Sequence, residues 1–302
     1  LLQEVKMFSA PGIVLVDKPA GMSSAKVVAE VKRRLAAKKV GHTGTLDPDA
    51  TGLLVCVLNG ATKLAQFAEV GRKTYQGVIQ LGVRTDTDDL SGRVLIKSEV
   101  PSDKEAILAQ IPSFEGEIEQ VPPQISAVKV AGRRSYARAR SGEEVTHQAR
   151  RVHIYRFEVC SYSDGKLSFQ IDCSRGTYIR SVARDLGDKL GCGGALAELR
   201  RTASQPFHLR DACSLEQLST AHVRSCEELF PGCGRLEIGG ADLARLRNGD
   251  VVPVRSRLDA ALAPELDTRW VFYYDRSKPQ APVGLLSRLE DGDWVIGMNM
   301  PQ

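Results

Sequence analysis

Apolar positions along this chain follow two periods, and the places where one gives way to the other mark its elements. The run GIVLVDKP, residues 12–19, is continuously apolar up to a proline and predicts a short buried strand. In SSAKVVAEVKRRLAAKK the spacing changes: Val27, Val28, Val31 and Leu35 fall on one helical stripe with Lys32, Arg33 and Arg34 largely outside it. Ser23 or Ser24 can cap that helix. LLVCVL (53–58) predicts a second buried strand, ATKLAQFAEVG (61–71) a helix stopped by Gly71, and KTYQGVIQLGV (73–83) another strand before an acidic turn, TDTDDLSG. Residues 102–111 read as helical. RVHIYRFEV and KLSFQIDC read as two strands joined by SYSDG. In SRGTYIRSVARDLGDKLG, the residues Ile179, Val182, Ala183, Leu186 and Leu190 form a helical core stripe. GALAELRRTASQPFHL reads only as extended or turning, and SLEQLSTAH as a short helix. A boundary falls near PGCG (231–234), after which short strands surround one helix.

Composition adds little to this picture and removes several alternatives. The chain has 302 residues, 42% hydrophobic and 26% charged, enough for one large domain and a small one. Its seven cysteines include no C-x-x-C pair, so neither a zinc ribbon nor a disulfide framework is expected, and a reducing cytoplasm fits. The five histidines show no metal-ligand spacing, and no metal site is expected. No apolar run reaches the length of a membrane span, and no signal peptide is expected before the first strand.

Charge matters through its distribution, because the net value is only +4. Residues 121–156 hold Lys129, Arg133, Arg134, Arg138, Arg140, Arg150, Arg151 and Arg156, with Tyr136 among them. Basic residues interleaved with an aromatic suit a phosphate backbone and its bases. Arg180 falls in the first turn of its helix, where the dipole disfavours a cation unless an anion accompanies it. The loop GHTGTLDPDATG (41–52) combines glycines with an Asp-Pro step, which specifies a bent backbone presenting Asp47. Read alone, it is also compatible with an Asp-Pro turn in which Asp47 or Asp49 bonds local N–H groups.

GIVLVDKPAGMSSAKVV, VGHTGTLDPDATGLL, KTYQGVIQLG, SAVKVAGRRSYARARSG, CSRGTYIRSVARDLG and ELRRT occur here in the order seen in the TruB family, which the chain resembles over residues 12–210. The resemblance is to the bacterial stand-alone tRNA pseudouridine synthases that act on uridine 55 of the T loop. It implies an α+β fold, with a central mixed, mainly antiparallel sheet flanked by helices. It implies a catalytic domain over residues 1–232, with a basic RNA-gripping insertion at about 121–156, and a PUA-like β-rich module over 233–302. It further implies Asp47 as nucleophile, Tyr75 as the aromatic packed on the target base and acceptor of the C5 proton, and Arg180 as the partner of the catalytic carboxylate. Tyr178, His42 and Leu199 match positions lining the site for flipped-out nucleotides, and Lys18 one supporting the active-site edge.

The reaction breaks the N1–C1′ bond, turns the base and rejoins it through C5. It has no redox change and loses no group, so no cofactor is expected. A carboxylate either attacks carbon or deprotonates the sugar, and the residues alone do not choose between these. A carboxylate kept ionised in a dry pocket calls for a guanidinium beside it. The expected partner is tRNA through its T arm, with Lys129, Arg133 and Arg138 on its backbone. No guide RNA and no membrane are expected, and the chain is expected to be a cytoplasmic monomer. A non-catalytic RNA-binding protein, a guide-dependent synthase and an aspartate hydrolase using Asp47 and Asp49 are the competing readings.

Overall fold

A computed structural model describes residues 7–68, 71–100, 102–124, 147–258 and 270–300, with the backbone alone at 129–130 and 133–134. Among the described residues the strands are β1 (Gly12–Lys18), β2 (Val40–His42), β3 (Thr51–Leu58), β4 (Lys73–Leu81), β5 (Val83–Thr85), β6 (Val94–Lys97), β7 (Gly116–Gln120), β8 (Lys129–Val130), β9 (Arg133–Arg134), β10 (Arg150–Ser163), β11 (Lys166–Cys173), β12 (Gly194–Ser204), β13 (Phe207–His208), β14 (Gly234–Ile238), β15 (Trp270–Asp275), β16 (Lys278–Arg288) and β17 (Trp294–Asn299). The α-helices among those residues are α1 (Ser24–Arg34), α2 (Ala65–Ala68), α3 (Lys104–Leu108), α4 (Ile179–Lys189), α5 (Gly240–Arg247) and α6 (Arg255–Leu258).

Nine strands form one sheet in the order β1-β3-β12-β4-β11-β10-β7, with β2 beside β3 and β13 beside β12. Its pairings are antiparallel except β12 against β3. The parallel contact rests on Gly52, which takes φ +98°; a Cβ there would stand 2.3 Å from the Arg201 carbonyl oxygen. Only glycine lets the two backbones approach so closely.

The unbroken apolar runs of β1 and β3 have a simple cause. Ile13, Leu15, Leu53, Val55 and Val57 enter one core, while Val14, Val16, Leu54, Cys56 and Leu58 enter another against Val27, Val31 and Leu35 of the α1 segment. Both faces are covered, so alternation has nothing to separate. A third core joins α4, through Ile179, Val182, Ala183 and Leu186, to Tyr75, Ile79, Phe169 and Ile171 of the sheet. β14–β17 form a separate mixed sheet of four strands with α5 against it.

Several elements differ from the sequence reading. The stretch GALAELRRTASQPFHL, read only as extended or turning, holds an interior strand, β12, with register shifts at Leu196/Glu198 and Arg201/Ala203. The helix expected over 61–71 is a 3-10 turn over Asn59–Lys63 followed by the four residues of α2. Asn59 opens it at φ +51° and spends its side chain on the amides of Lys38 and Lys39 and the carbonyls of Phe8 and Ala10. SLEQLSTAH holds turns and a 3-10 helix, Thr220–His222; Leu215 and Leu218 mimic helical spacing because both anchor the segment on the core beneath β1. Residues 102–111 hold the five-residue α3 and the first residue of a 3-10 turn, Ile111–Phe114. No helix among the described residues is long and apolar enough to cross a membrane.

Candidate active site

The loop between β2 and β3 is held from three sides by buried polar side chains. Ser24, the first residue of α1, accepts from the Leu46 N–H and donates to the Leu46 carbonyl, both at 2.9 Å. Capping of α1 falls instead to Ser23, which accepts from the Lys26 N–H. Arg201 of β12, 2% exposed, donates to the carbonyls of Leu53 (2.7 Å), Gly44 (3.0 Å) and Thr45 (3.4 Å). Lys18, at the end of β1, is fully buried and donates to the carbonyls of Pro19, Met22 and Pro48. Asp47 lies between residues fixed on either side, so its carboxylate stands on a preorganised backbone.

That carboxylate meets α4. Arg180 is the second residue of the helix and is 6% exposed, against 42% for Asp47. Its Nε lies 2.9 Å from Asp47 Oδ2, and its Nη2 donates to Oδ1 at 3.2 Å. Nη1 donates to the Thr87 carbonyl at 3.0 Å, and Asp89 Oδ2 lies 3.8 Å from Nε. The cation at the positive end of a helix thus has its anion, and the guanidinium is gripped at both ends.

Both residues line a cavity of about 530 Å³, together with Tyr75, Leu199, Tyr178, Lys73 and Arg175. Tyr75 is buried, which pushes its phenol above the ordinary range while the Arg201 cation and its hydrogen bond oppose the rise. Tyr75 is therefore neutral at neutral pH, and its ring forms one wall of the cavity. Burial lowers Lys18 to about 8, with the charges of Asp49 and Asp47 holding it up. Its three carbonyl acceptors match an ammonium's three N–H donors, so it stays cationic at neutral pH.

Of the residues singled out in the sequence, Asp47, Tyr75, Arg180, Tyr178 and Leu199 come together at this cavity, and His42 and Lys18 lie outside its lining. His42 Nδ1 accepts from the Gly44 N–H within the loop. Asp49 is exposed and also lies outside the lining. Lys129 and Arg133 belong to a backbone hairpin, β8 with β9, and Arg138 lies outside the described residues. Sequence reasoning missed Lys73, Ser24, Arg201 and Gln120. Only Arg201 left a signal: in a strand carrying adjacent arginines, one of the two must face inward.

A family model for the TruB family pseudouridylate synthase N-terminal domain matches residues 32–179, and one for the tRNA pseudouridylate synthase B C-terminal domain matches 180–231. A tRNA pseudouridine synthase B of Dinoroseobacter shibae is 42% identical over 272 residues, covering 87% of this chain and 88% of the relative. The chain belongs to the TruB family of pseudouridylate synthases. A second TruB relative, of Alkaliphilus oremlandii, is 44% identical over 207 residues, 68% of this chain and 69% of that one. Among solved structures, the crystal structure of a Cbf5-Nop10-Gar1 complex superposes with a TM-score of 0.66 at 25% identity, covering 96% of this chain and 84% of that one. The family models meet at residues 179 and 180, inside the segment that brings Arg180 to Asp47.

Proposed function

We propose that this protein isomerises uridine 55 in the T loop of tRNA to pseudouridine, with Asp47 as the reacting carboxylate. The observation that carries the reading is the Asp47–Arg180 pair set in a cavity with Tyr75 and Leu199. The names of the relatives, tRNA pseudouridine synthase B, supply the substrate class.

The target uridine leaves its stack before it enters a cavity of this size. Arg180 holds the Asp47 carboxylate by two contacts and aims it at the sugar. Asp47 then bonds C1′ or takes the C2′ proton, and the N1–C1′ bond breaks. Tyr75 and Leu199 hold the detached base between an aromatic and an aliphatic wall while it turns, with Tyr178 beside them. C5 bonds C1′ as Asp47 leaves it or returns the C2′ proton; C5 then loses its proton to a weak base or an organised water, and N1 takes one up. His42 and Lys18 act from behind, by shaping the loop that carries Asp47. Lys129, Arg133 and Arg138 contact the RNA backbone, and residues 233–302 form a PUA-like module reaching the tRNA stem. The chain works as a monomer without a guide RNA.

The test uses the purified chain with an unmodified tRNA transcript and no other RNA. Pseudouridine should appear at position 55 and should be absent from a transcript carrying cytidine there. Modification at another position, or none until a second RNA is added, would overturn the assignment.

A further inference from the structure

The cavity carries more positive charge than the proposed chemistry uses. Lys73, Arg150, Arg151, Arg175 and Arg180 line it, and among the described lining residues Asp47 is the one acid. Arg150, Arg151 and Arg175 are exposed, the position expected of groups that meet phosphates at a rim. Lys73 is only 9% exposed. It precedes Tyr75 by two residues on β4, so the two side chains leave the same face of the strand.

The tip of Lys73 lies against the loop of Asp47. A Cβ on Gly44 would stand 3.1 Å from Lys73 Nζ and 3.5 Å from Arg201 Nη1. Two cations therefore crowd the same glycine, on the wall that also carries Tyr75. Like charges gathered away from water favour an anion brought among them. The reaction produces one at that depth. When N1–C1′ breaks, the bonding pair stays on the ring, spread over N1, O2 and O4.

We propose that Lys73 is a further catalytic residue, whose ammonium stabilises the uracil ring as it detaches as an anion. This rests on the reading of the cavity as the uridine site. Lys73 keeps its own protons and acts by charge and hydrogen bonding. C1′ is meanwhile bonded to Asp47, or the C2′ proton has passed to it. C5 then takes C1′ as the Asp47–C1′ bond breaks, or as the abstracted proton returns to C2′; C5 releases its proton and N1 gains one from solvent, so no atom is gained or lost overall. Burial favours the base over a phosphate as the partner: Lys73 shares the wall with Tyr75, and the exposed arginines stand where the backbone would pass.

Single-turnover loss of the original nucleoside should be measured on tRNA transcripts carrying uridine or 5-fluorouridine at position 55. Fluorine makes the detached ring a weaker base, which needs less help in leaving. Lys73→Met should slow conversion of uridine by about 10²- to 10³-fold, the scale of losing one transition-state donor. The deficit should shrink by about tenfold or more on 5-fluorouridine, following the leaving-group dependence of the step. Transcript Kd should stay within about threefold, or ~0.7 kcal/mol. Gly44→Ala, which displaces the ammonium without removing it, should show a smaller deficit of the same kind, so the outcome does not hang on how Lys73→Met folds. Equal deficits on both substrates, or a loss confined to Kd, would overturn the proposal. A wild-type chain that leaves uridine 55 unchanged would overturn the reading of the cavity instead.

Discussion

Asp47 owes its position to three residues that never meet the substrate in this account. Ser24, Lys18 and Arg201 come from α1, β1 and β12, and each spends its polar atoms on backbone carbonyls or amides of the loop around Asp47 or of its neighbours. Unmade, those backbone bonds would cost about 1–3 kcal/mol each in a buried setting. Lys18 allows a check by pH. Its ammonium falls from 10.5 to about 8 on burial, so between those values the unfolded chain holds a proton the folded chain has released. Stability attributable to Lys18 therefore rises with pH through that window and is flat below it. Urea denaturation from pH 7 to pH 10.5 should show the wild type gaining about 3 kcal/mol relative to Lys18→Met. Parallel profiles would mean that the ammonium is not desolvated in the folded state.

At the scale of elements, α4 and β7 are stitched together where Arg180 begins its work. Gln120 ends β7, and its amide clasps Tyr178: the Tyr178 N–H donates to Oε1 at 2.8 Å, and Nε2 donates to the Tyr178 carbonyl at 3.1 Å. The Val121 carbonyl accepts from Ser181 Oγ and Arg184 Nη2. No side chain of its own caps α4, so β7 fixes where the helix starts. Gln120→Met keeps the bulk and removes both bonds. It should cost about 1–3 kcal/mol in denaturation and lower kcat more than it changes KM, because it moves Arg180 and Tyr178 rather than the RNA contacts. A pure KM effect would contradict this.

Elements were legible in the sequence where packing is local and repetitive. The α4 stripe and the two-sided runs of β1 and β3 state their burial in order. β12 was not legible, because two register shifts and the Arg200–Arg201 pair break its alternation. The Asp47 loop was legible as a shaped presentation of a carboxylate, and Arg180 as a cation needing an anion. Gln120, Ser24 and Lys73 were not, since each acquires meaning only from a partner that the fold delivers from elsewhere in the chain.

For the whole molecule, the two sheets share one core. Phe272, Tyr274, Leu285 and Met298 of the C-terminal sheet pack with Ile13, Leu53, Val55, Leu64 and Phe230. Lys63 Nζ reaches the Asn299 carbonyl at 2.9 Å, and Tyr274 hydrogen-bonds Glu227. The C-terminal sheet is therefore a structural wall of the β1–β3 layer as well as a separate sheet. Ending the chain at Gly232 would uncover that layer's apolar face. Burial at about 25 cal/mol per Å² makes such a loss large beside a net stability of about 5–15 kcal/mol. The truncated protein should aggregate or melt far below the full chain, and calorimetry of the full chain should show one cooperative transition. A truncated chain with unchanged Tm would show that the shared core contributes little.

In the proposed reaction the Asp47 carboxylate, held by Arg180, performs the isomerisation. The direct measurement is tritium release from tRNA labelled at C5 of uridine, compared for wild type, Asp47→Asn and Asp49→Asn. Asn keeps the size of each side chain and removes its negative charge. The account predicts release by wild type and by Asp49→Asn, with none from Asp47→Asn while its tRNA affinity stays within about tenfold, or 1.4 kcal/mol. Release by Asp47→Asn at near the wild-type rate, with loss in Asp49→Asn, would contradict it.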